Sequence, residues 1–336
     1  MTIKDLSAKT GYAVGTVSRA LNGHPNVSDT ARAAILKAAE ESGFELNVNA
    51  KQLKQLRSNT ILVIVKGIRN ELFGQMVEMI QSLLVQTRYQ LVVDYMDEDQ
   101  NEVHRALQLC KEKKPLGILF LGGNNRNFIR DFDKIDIPCV LVTNDASMLH
   151  YRNLSSVTTD DLEAARCAIN SLIALGHSRI AIIGGNRAIS DTSRLRYEGC
   201  MRAFAEHGIE FDPERDYQGV RYSCQDGYRA TQALLEKGCQ FTAIFAIADV
   251  MAIGAIRALW EKGLRVPKDV SVMGVDGLPM GNYLVPQLAT ICQHVSRLAK
   301  RSVEILLAGI EEGAAACHDT VPFTVLSRES VRSIET

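Results

Sequence analysis

The 336-residue chain contains no apolar run near the roughly 18 residues that a membrane span requires. Its opening stretch, "MTIKDLSAKTGY", lacks the apolar segment of a secretory signal, so the expected location is the cytoplasm and no membrane partner is expected. Metal and redox signatures are missing too. The eight cysteines stand at 110, 139, 167, 200, 224, 239, 292 and 317, and none has the two-residue spacing of zinc sites or dithiol pairs. Buried free thiols in a reducing compartment are the expectation. The seven histidines are dispersed, with no paired spacing on a helix, so neither a metal nor a cofactor is expected. The "GG" pairs at 122–123 and 184–185 lack the G-x-G-x-x-G pattern with a following acidic residue. They read as strand-to-helix turns. The adjacent acids Asp160 and Asp161 have no nucleophile and base beside them, and neighbouring side chains on one element point apart. An enzyme is therefore not expected.

Net charge is also scarce, at −1, which by itself speaks against a nucleic-acid partner. Its distribution does not. Residues 1–60 carry eight basic side chains and five acidic ones, a net +3, so the remainder carries −4. A small basic head on a larger acidic body is an asymmetry with a functional implication. Length suggests two or three domains, and a 46% hydrophobic share is enough for full cores.

Residues 1–45 read as three short helices. The first, "IKDLSAKTG", stops at Gly11. The second, spanning roughly Val14 to Leu21, places Val14, Val17, Ala20 and Leu21 on one face and ends at Asn22-Gly23. Ser28 is a good N-cap for the third, whose buried stripe is expected to be Ala31, Ile35, Leu36, Ala39 and Phe44. Two helices joined by a tight glycine-bearing turn and braced by a third form a helix-turn-helix candidate. Residues 46–58 are polar and basic and read as a linker that can form one or two helical turns, a length marginal alone in water.

From Thr60 onward, apolar runs alternate with amphipathic stretches: "TILVIV", "YQLVVDY", "LGILFLG", "IPCVLVT", then "RIAIIGG", "TAIFAIAD" and "VSVMGVDG". Continuous apolar strands separated by helices imply parallel sheets covered on both faces. Seven or more strands over this length fit two doubly wound lobes. Ligands in such folds sit at the carboxyl ends of the strands, which points to Lys66, Gly122, Thr143, Gly184, Asp249 and Asp276.

With these blocks in order, the chain resembles the lactose-repressor/galactose-repressor family of bacterial transcription regulators. The carrying segments are "TIKDLSAKTG", "TVSRALNG" and "NVNAKQLK", then "ALGHSRIAIIGG", "RLRYEG", "TAIFAIADVMAIGAIRAL" and "GLRVPKDVSVMGVDG". They cover essentially the whole chain. The resemblance implies an all-α helix-turn-helix head plus an α/β core of two doubly wound parallel-sheet lobes, of periplasmic-binding-protein type. The implied divisions are a head at 1–45, a hinge at 46–58 and an effector-binding core at 59–336. Within the core, one lobe takes about 60–157 and 293–320, and the other about 159–291 and 321–336.

The implied partners are double-stranded operator DNA, a second copy of the chain, and a small-molecule effector, expected to be a sugar or sugar derivative. Val14, Gly15 and Arg19 fall at base-reading positions, and Thr16 and Ser18 offer hydroxyls to phosphate or base. An arginine there can pair bidentately with guanine. Asn47, Asn49 and Lys51 flank Leu53, which occupies the place of a leucine that wedges between base steps. In the core, Arg196 and Asp276 fall at ligand-contacting positions, where together they can grip vicinal hydroxyls. Tyr222 falls where an aromatic platform is often found, Phe73 near the cleft mouth, and Lys66, Thr143 and Gln293 along the lining. Lys66 hints at an acidic ligand such as a sugar phosphate or uronate.

The chain departs from the pattern at Ala13, where a capping serine is common; at Gly15, in place of a larger side chain; at Leu46, in place of a proline; and at Ala248, in place of an asparagine. The competing reading is a solute-binding protein without a DNA role; the basic head and the missing signal segment argue against it.

Overall fold

The structure is a computed structural model that describes residues 3–21, 27–42 and 59–334. It divides into two compact units, residues 1–57 and 58–336.

In the first unit, helices α1 (Ile3–Thr10), α2 (Val14–Leu21) and α3 (Asp29–Glu41) surround one small core. Gly11 ends α1 because its φ of +74° suits glycine, and its N–H closes on the Ser7 carbonyl. The Ser7 hydroxyl donates to the Tyr12 carbonyl at 2.6 Å, which pins the turn. The Ala13 carbonyl, accepting from the N–H groups of Thr16 and Val17, holds the start of α2. Ser28 caps α3 as its sequence position implies, accepting from the Ala31 N–H. Leu6, Val17 and Ile35 are fully buried, each worth about 1.5–3 kcal/mol of transfer free energy.

Leu36 does not join them. It is 46% exposed, because consecutive helical residues turn by about 100° and Ile35 already faces the core. Val14, on the same helix as buried Val17 and Ala20, is likewise exposed. Phe44 lies outside the described residues.

The second unit holds two six-stranded sheets. In the first, β1 (Thr60–Lys66), β2 (Gln90–Met96), β3 (Gly117–Leu121), β4 (Cys139–Val142), β5 (Leu154–Thr158) and β11 (His318–Thr320) run in the order β11-β5-β4-β3-β1-β2, all parallel. The second contains β6 (Ile180–Gly184), β7 (Tyr217–Gly219), β8 (Ala243–Ala246), β9 (Ser271–Asp276), β10 (Ala289–Cys292) and β12 (Thr324–Leu326), ordered β12-β10-β9-β8-β6-β7. Only β12 is antiparallel. Central strands such as β3, β4 and β8 are buried at every residue, as sheets covered by helices on both faces require.

The chain passes between the sheets near residues 159, 293 and 322. Three crossings make a two-lobed body with a cleft between strand ends. Helices relevant to that cleft are α4 (Glu71–Leu84), α5 (Glu102–Lys113), α6 (Asn125–Asp131), α7 (Asp161–Ala174) and α8 (Asp191–Glu206). Five strands escape the apolar-run reading. In β5 the serines that disguise it are buried donors and acceptors: Ser155 accepts from the Cys317 N–H, and Ser156 bonds His318 at 2.8 Å.

All eight cysteines are free. Cys139, Cys200 and Cys239 are buried, but Cys224 is exposed at a helix start, so the expectation of buried thiols fails there. Among the described residues no helix is long and apolar enough to cross a membrane.

Candidate functional site

A cavity of about 340 Å³ in the second unit lies between the carboxyl ends of the two sheets. That size is within the range of small-molecule sites. Lys66, Phe73, Thr143, Arg196, Tyr222, Asp276 and Gln293 all line it. They come from seven separate segments, and the fold brings them together. Gly122 also lines it, whereas Gly184 and Asp249 do not. Gly184 is covered by Tyr217, whose hydroxyl occupies the space a Cβ would take. Asp249 is fully buried, accepting from the Thr290 hydroxyl at 2.6 Å and the Leu278 N–H at 2.7 Å.

Arg196 is the centre of the floor. It sits on the inner face of α8 and is 3% exposed. Its Nε donates to Asp161 Oδ1 at 2.7 Å, one Nη donates to the Ile247 carbonyl, and Nη1 lies 3.8 Å from Asp276 Oδ1. Gln293 Nε2 donates to that same Asp276 oxygen at 2.6 Å. The other oxygen, Oδ2, is buried without a hydrogen-bond partner. Removal from water pushes the Asp276 carboxyl up to about 7, against the pull of Arg196 and Gln293. Burial raises Asp161 and Asp249 as well; for Asp249 the neighbouring Asp276 charge adds to it. Asp161 and Asp276 thus share one guanidinium, with Asp249 buried behind Asp276.

The backbone at this floor is strained. Asp276 has φ of +127° and Thr143 of +75°, both unusual for residues with a Cβ. Such conformations cost about 1–3 kcal/mol and concentrate at functional sites. Both of these line the cleft, at the ends of β9 and β4. Gly277, which follows at φ +75°, has no room for a side chain against Cys292.

The walls correct two expectations. Phe73 is 7% exposed and packs over Gly122, so it forms wall rather than mouth. Lys66 pairs with Glu102, itself fully buried and also accepting from the Asn124 N–H and the Asn127 amide. Its charge is already matched, which removes the basis for reading it as an anion receptor. Tyr222 does line the cleft, with its hydroxyl held 2.8 Å from the Ser193 hydroxyl. Ala248 is fully buried and does not reach the cavity.

Several residues were not anticipated. Asp161, which the sequence offers only as half of an unlikely acid pair, is the nearest carboxylate to Arg196, while Asp160 caps α7 by accepting from the Glu163 N–H. Arg221, just after β7, reaches across to the turn after β2. It donates to both oxygens of Asp97 at 3.0 and 3.1 Å, contacts Asp99, and lies 3.6 Å from Glu98. On the far rim the Asn125 N–H donates to Asp191 and Arg126 donates to the Ala188 carbonyl, at 3.0 and 2.9 Å. Sequence spacing holds no signal for these bridges, because each joins residues 62 or more positions apart.

In the first unit, Val14, Gly15 and Arg19 are exposed on α2, and Thr16 and Ser18 are half-buried. Arg19 folds back along the helix, its Nε donating to the Gly15 carbonyl at 3.1 Å. A Cβ at Gly15 would stand 3.8 Å from the Arg19 guanidinium, an ordinary contact. Asn47, Asn49, Lys51 and Leu53 lie outside the described residues.

An exposed second helix on a three-helix head, carried by the same chain as a two-lobed cleft, defines a ligand-responsive DNA-binding regulator. Residues 2–47 match the family model of bacterial regulatory proteins, lacI family, and residues 169–331 match the periplasmic binding protein-like domain. The chain belongs to the lacI family of bacterial regulatory proteins. It is 32% identical to the HTH-type transcriptional regulator MalR of Clostridium butyricum, over 99% of this chain and all of that one. Against catabolite control protein A of Priestia megaterium the identity is 30%, over 91% of each. The lac repressor dimer bound to operator and the anti-inducer ONPF superposes with a TM-score of 0.72 at 26% identity, covering 99% of each chain. The family consists of transcriptional regulators and not enzymes.

Proposed function

We propose that the chain acts as a homodimeric repressor of carbohydrate-metabolism genes, binding a palindromic operator through α2 and a sugar-type effector in the interlobe cleft. The observation that carries this is the joint burial of Arg196, Asp161, Asp276 and Gln293 at a cleft floor with one acceptor oxygen left unpartnered. An unpaired buried acceptor costs about 1–3 kcal/mol, which a ligand hydroxyl would recover. A second support is the similarity over both full chains to a lac repressor that forms a dimer on its operator.

On DNA, Arg19 would leave the Gly15 carbonyl and pair with a guanine, with Val14 making apolar contact to a thymine methyl. Thr16 and Ser18 would contact phosphate or base. Residues 46–58 would fold as a hinge in the minor groove, with Leu53 between base steps and Asn47 and Lys51 beside it. Two heads would address half-sites in successive major grooves. Effector binding would change how the lobes meet, and coupling of about 1–3 kcal/mol suffices for a switch.

The test is binding of the full chain to an operator selected from a random duplex library. Arg19→Ala is expected to weaken operator binding by about 1–3 kcal/mol and relax preference at one base pair of each half-site. An Arg19→Ala protein that keeps full preference for the operator over random DNA sinks this account of α2. A solute-binding protein without a DNA role would show no preference for any duplex.

A further inference from the structure

We infer that the cleft is built for a ligand carrying no negative charge, a neutral polyhydroxyl compound or its amino derivative, and that it rejects the phosphate and carboxylate forms of the same scaffold. This rests on the reading of the cleft as the effector site.

Three cations line the cavity: Lys66, Arg196 and Arg221. Each is already engaged by carboxylates. Lys66 is held by Glu102, Arg196 by Asp161 and Asp276, and Arg221 by Asp97, Glu98 and Asp99. Six carboxylates therefore face three cations, and Asp249 lies behind Asp276 as a seventh. An entering anion has no unmatched cation among these lining residues.

To bind, it would have to displace an existing partner. Taking Lys66 would strand Glu102, which is fully buried, and an uncompensated buried charge is strongly unfavourable. Taking Arg221 would undo the bridge between the turn after β2 and the segment after β7, which joins the two lobes. The free capacity of the cavity has the opposite character. Asp276 Oδ2 is a buried acceptor without a partner, and Glu98 is a half-buried carboxylate on the wall. Both call for donors, which hydroxyl and ammonium groups supply and phosphates do not. Asn144, Asn186 and Thr192 add uncharged polar groups that suit a polyol.

The experiment measures binding to the full-length protein by calorimetry for matched probe sets: glucose, glucosamine, glucuronate and glucose phosphate, the same four forms of galactose, cellobiose and its aldonic acid, and adenosine with its monophosphate. Where a scaffold binds, its neutral or amino form is expected at least about tenfold tighter than its acidic form, since like-charge juxtaposition opposes the latter. The Glu98→Gln/Asp99→Asn double variant is expected to narrow that ratio at least about threefold. An acidic form that binds as tightly as its neutral parent overturns the inference, as does a screen in which no neutral or amino probe binds. If adenosine binds and no sugar does, the sugar reading fails on its own. The charge rule then stands or falls on adenosine against its monophosphate.

Discussion

Replacing Arg196 with methionine removes the one guanidinium that Asp161 and Asp276 share. Both carboxylates are 4% exposed or less, at 2.7 and 3.8 Å from it, and Asp249 stands behind them. Breaking a buried pair by deleting one partner costs about 3–5 kcal/mol. For a domain of this size each kcal/mol lowers the melting temperature by about 2–4 °C, so a fall of about 6–20 °C is expected at pH 8. The carboxyls respond by holding protons to higher pH. A carboxyl raised in the folded state favours folding fully below its unfolded value, near 4, and loses that contribution as pH rises through the folded value. Burial already raises Asp161 and Asp276 with Arg196 in place. The deficit of the variant is therefore expected to be larger at pH 8 than at pH 5, and adding Asp161→Asn is expected to return part of it. Calorimetric scans of both variants and the parent at the two pH values measure this. A loss below about 1 kcal/mol, or one with no pH dependence, would refute the buried-cluster reasoning.

Gly15→Ala adds a methyl group 3.8 Å from the Arg19 guanidinium, an ordinary contact, and improves helix propensity by about 0.5–1 kcal/mol. The head is expected to gain that much stability in chemical denaturation, while operator preference changes at the base pair facing residue 15; unchanged stability would mean α2 is not the regular helix described. His177 is buried with both ring nitrogens bonded, to Thr242 and to the Arg332 carbonyl, and burial lowers its pKa. Its unfolded state takes up a proton first, so stability is expected to fall as pH drops from about 6.5 toward the folded value, by at most about 1.4 kcal/mol per pH unit. His177→Gln, less stable at pH 8, is expected to lose less than the parent between pH 7 and 5; an equal loss would place the acid sensitivity elsewhere.

The strands legible in the sequence are those whose whole length is apolar, because a doubly covered parallel sheet asks nothing else of them. β5 was hidden by Ser155 and Ser156, whose hydroxyls find partners only once β11 is brought alongside from residue 318. Leu36 misled because helical periodicity alone does not say how wide a small head's buried face will be. At the cleft, the residues suggested by family resemblance line one cavity, and so do the strand-end residues except Gly184 and Asp249. Their charge state was not legible. Lys66 looks like an anion receptor until Glu102, thirty-six positions away, is seen to hold it. Arg221 and Asp97 carry no local pattern at all, since their pairing exists only between two lobes.

The central claim is that one chain couples a DNA-reading helix to a ligand cleft. Its most direct measurement is the affinity of the full-length protein for its selected operator across a salt series, with and without a ligand that stabilises the core. The expected result is a linear fall of log affinity with log salt, reflecting released counterions. Added ligand is expected to shift operator affinity at least about fivefold, in either direction. Binding that ignores salt, or operator affinity unmoved by a ligand that saturates the cleft, would contradict the account.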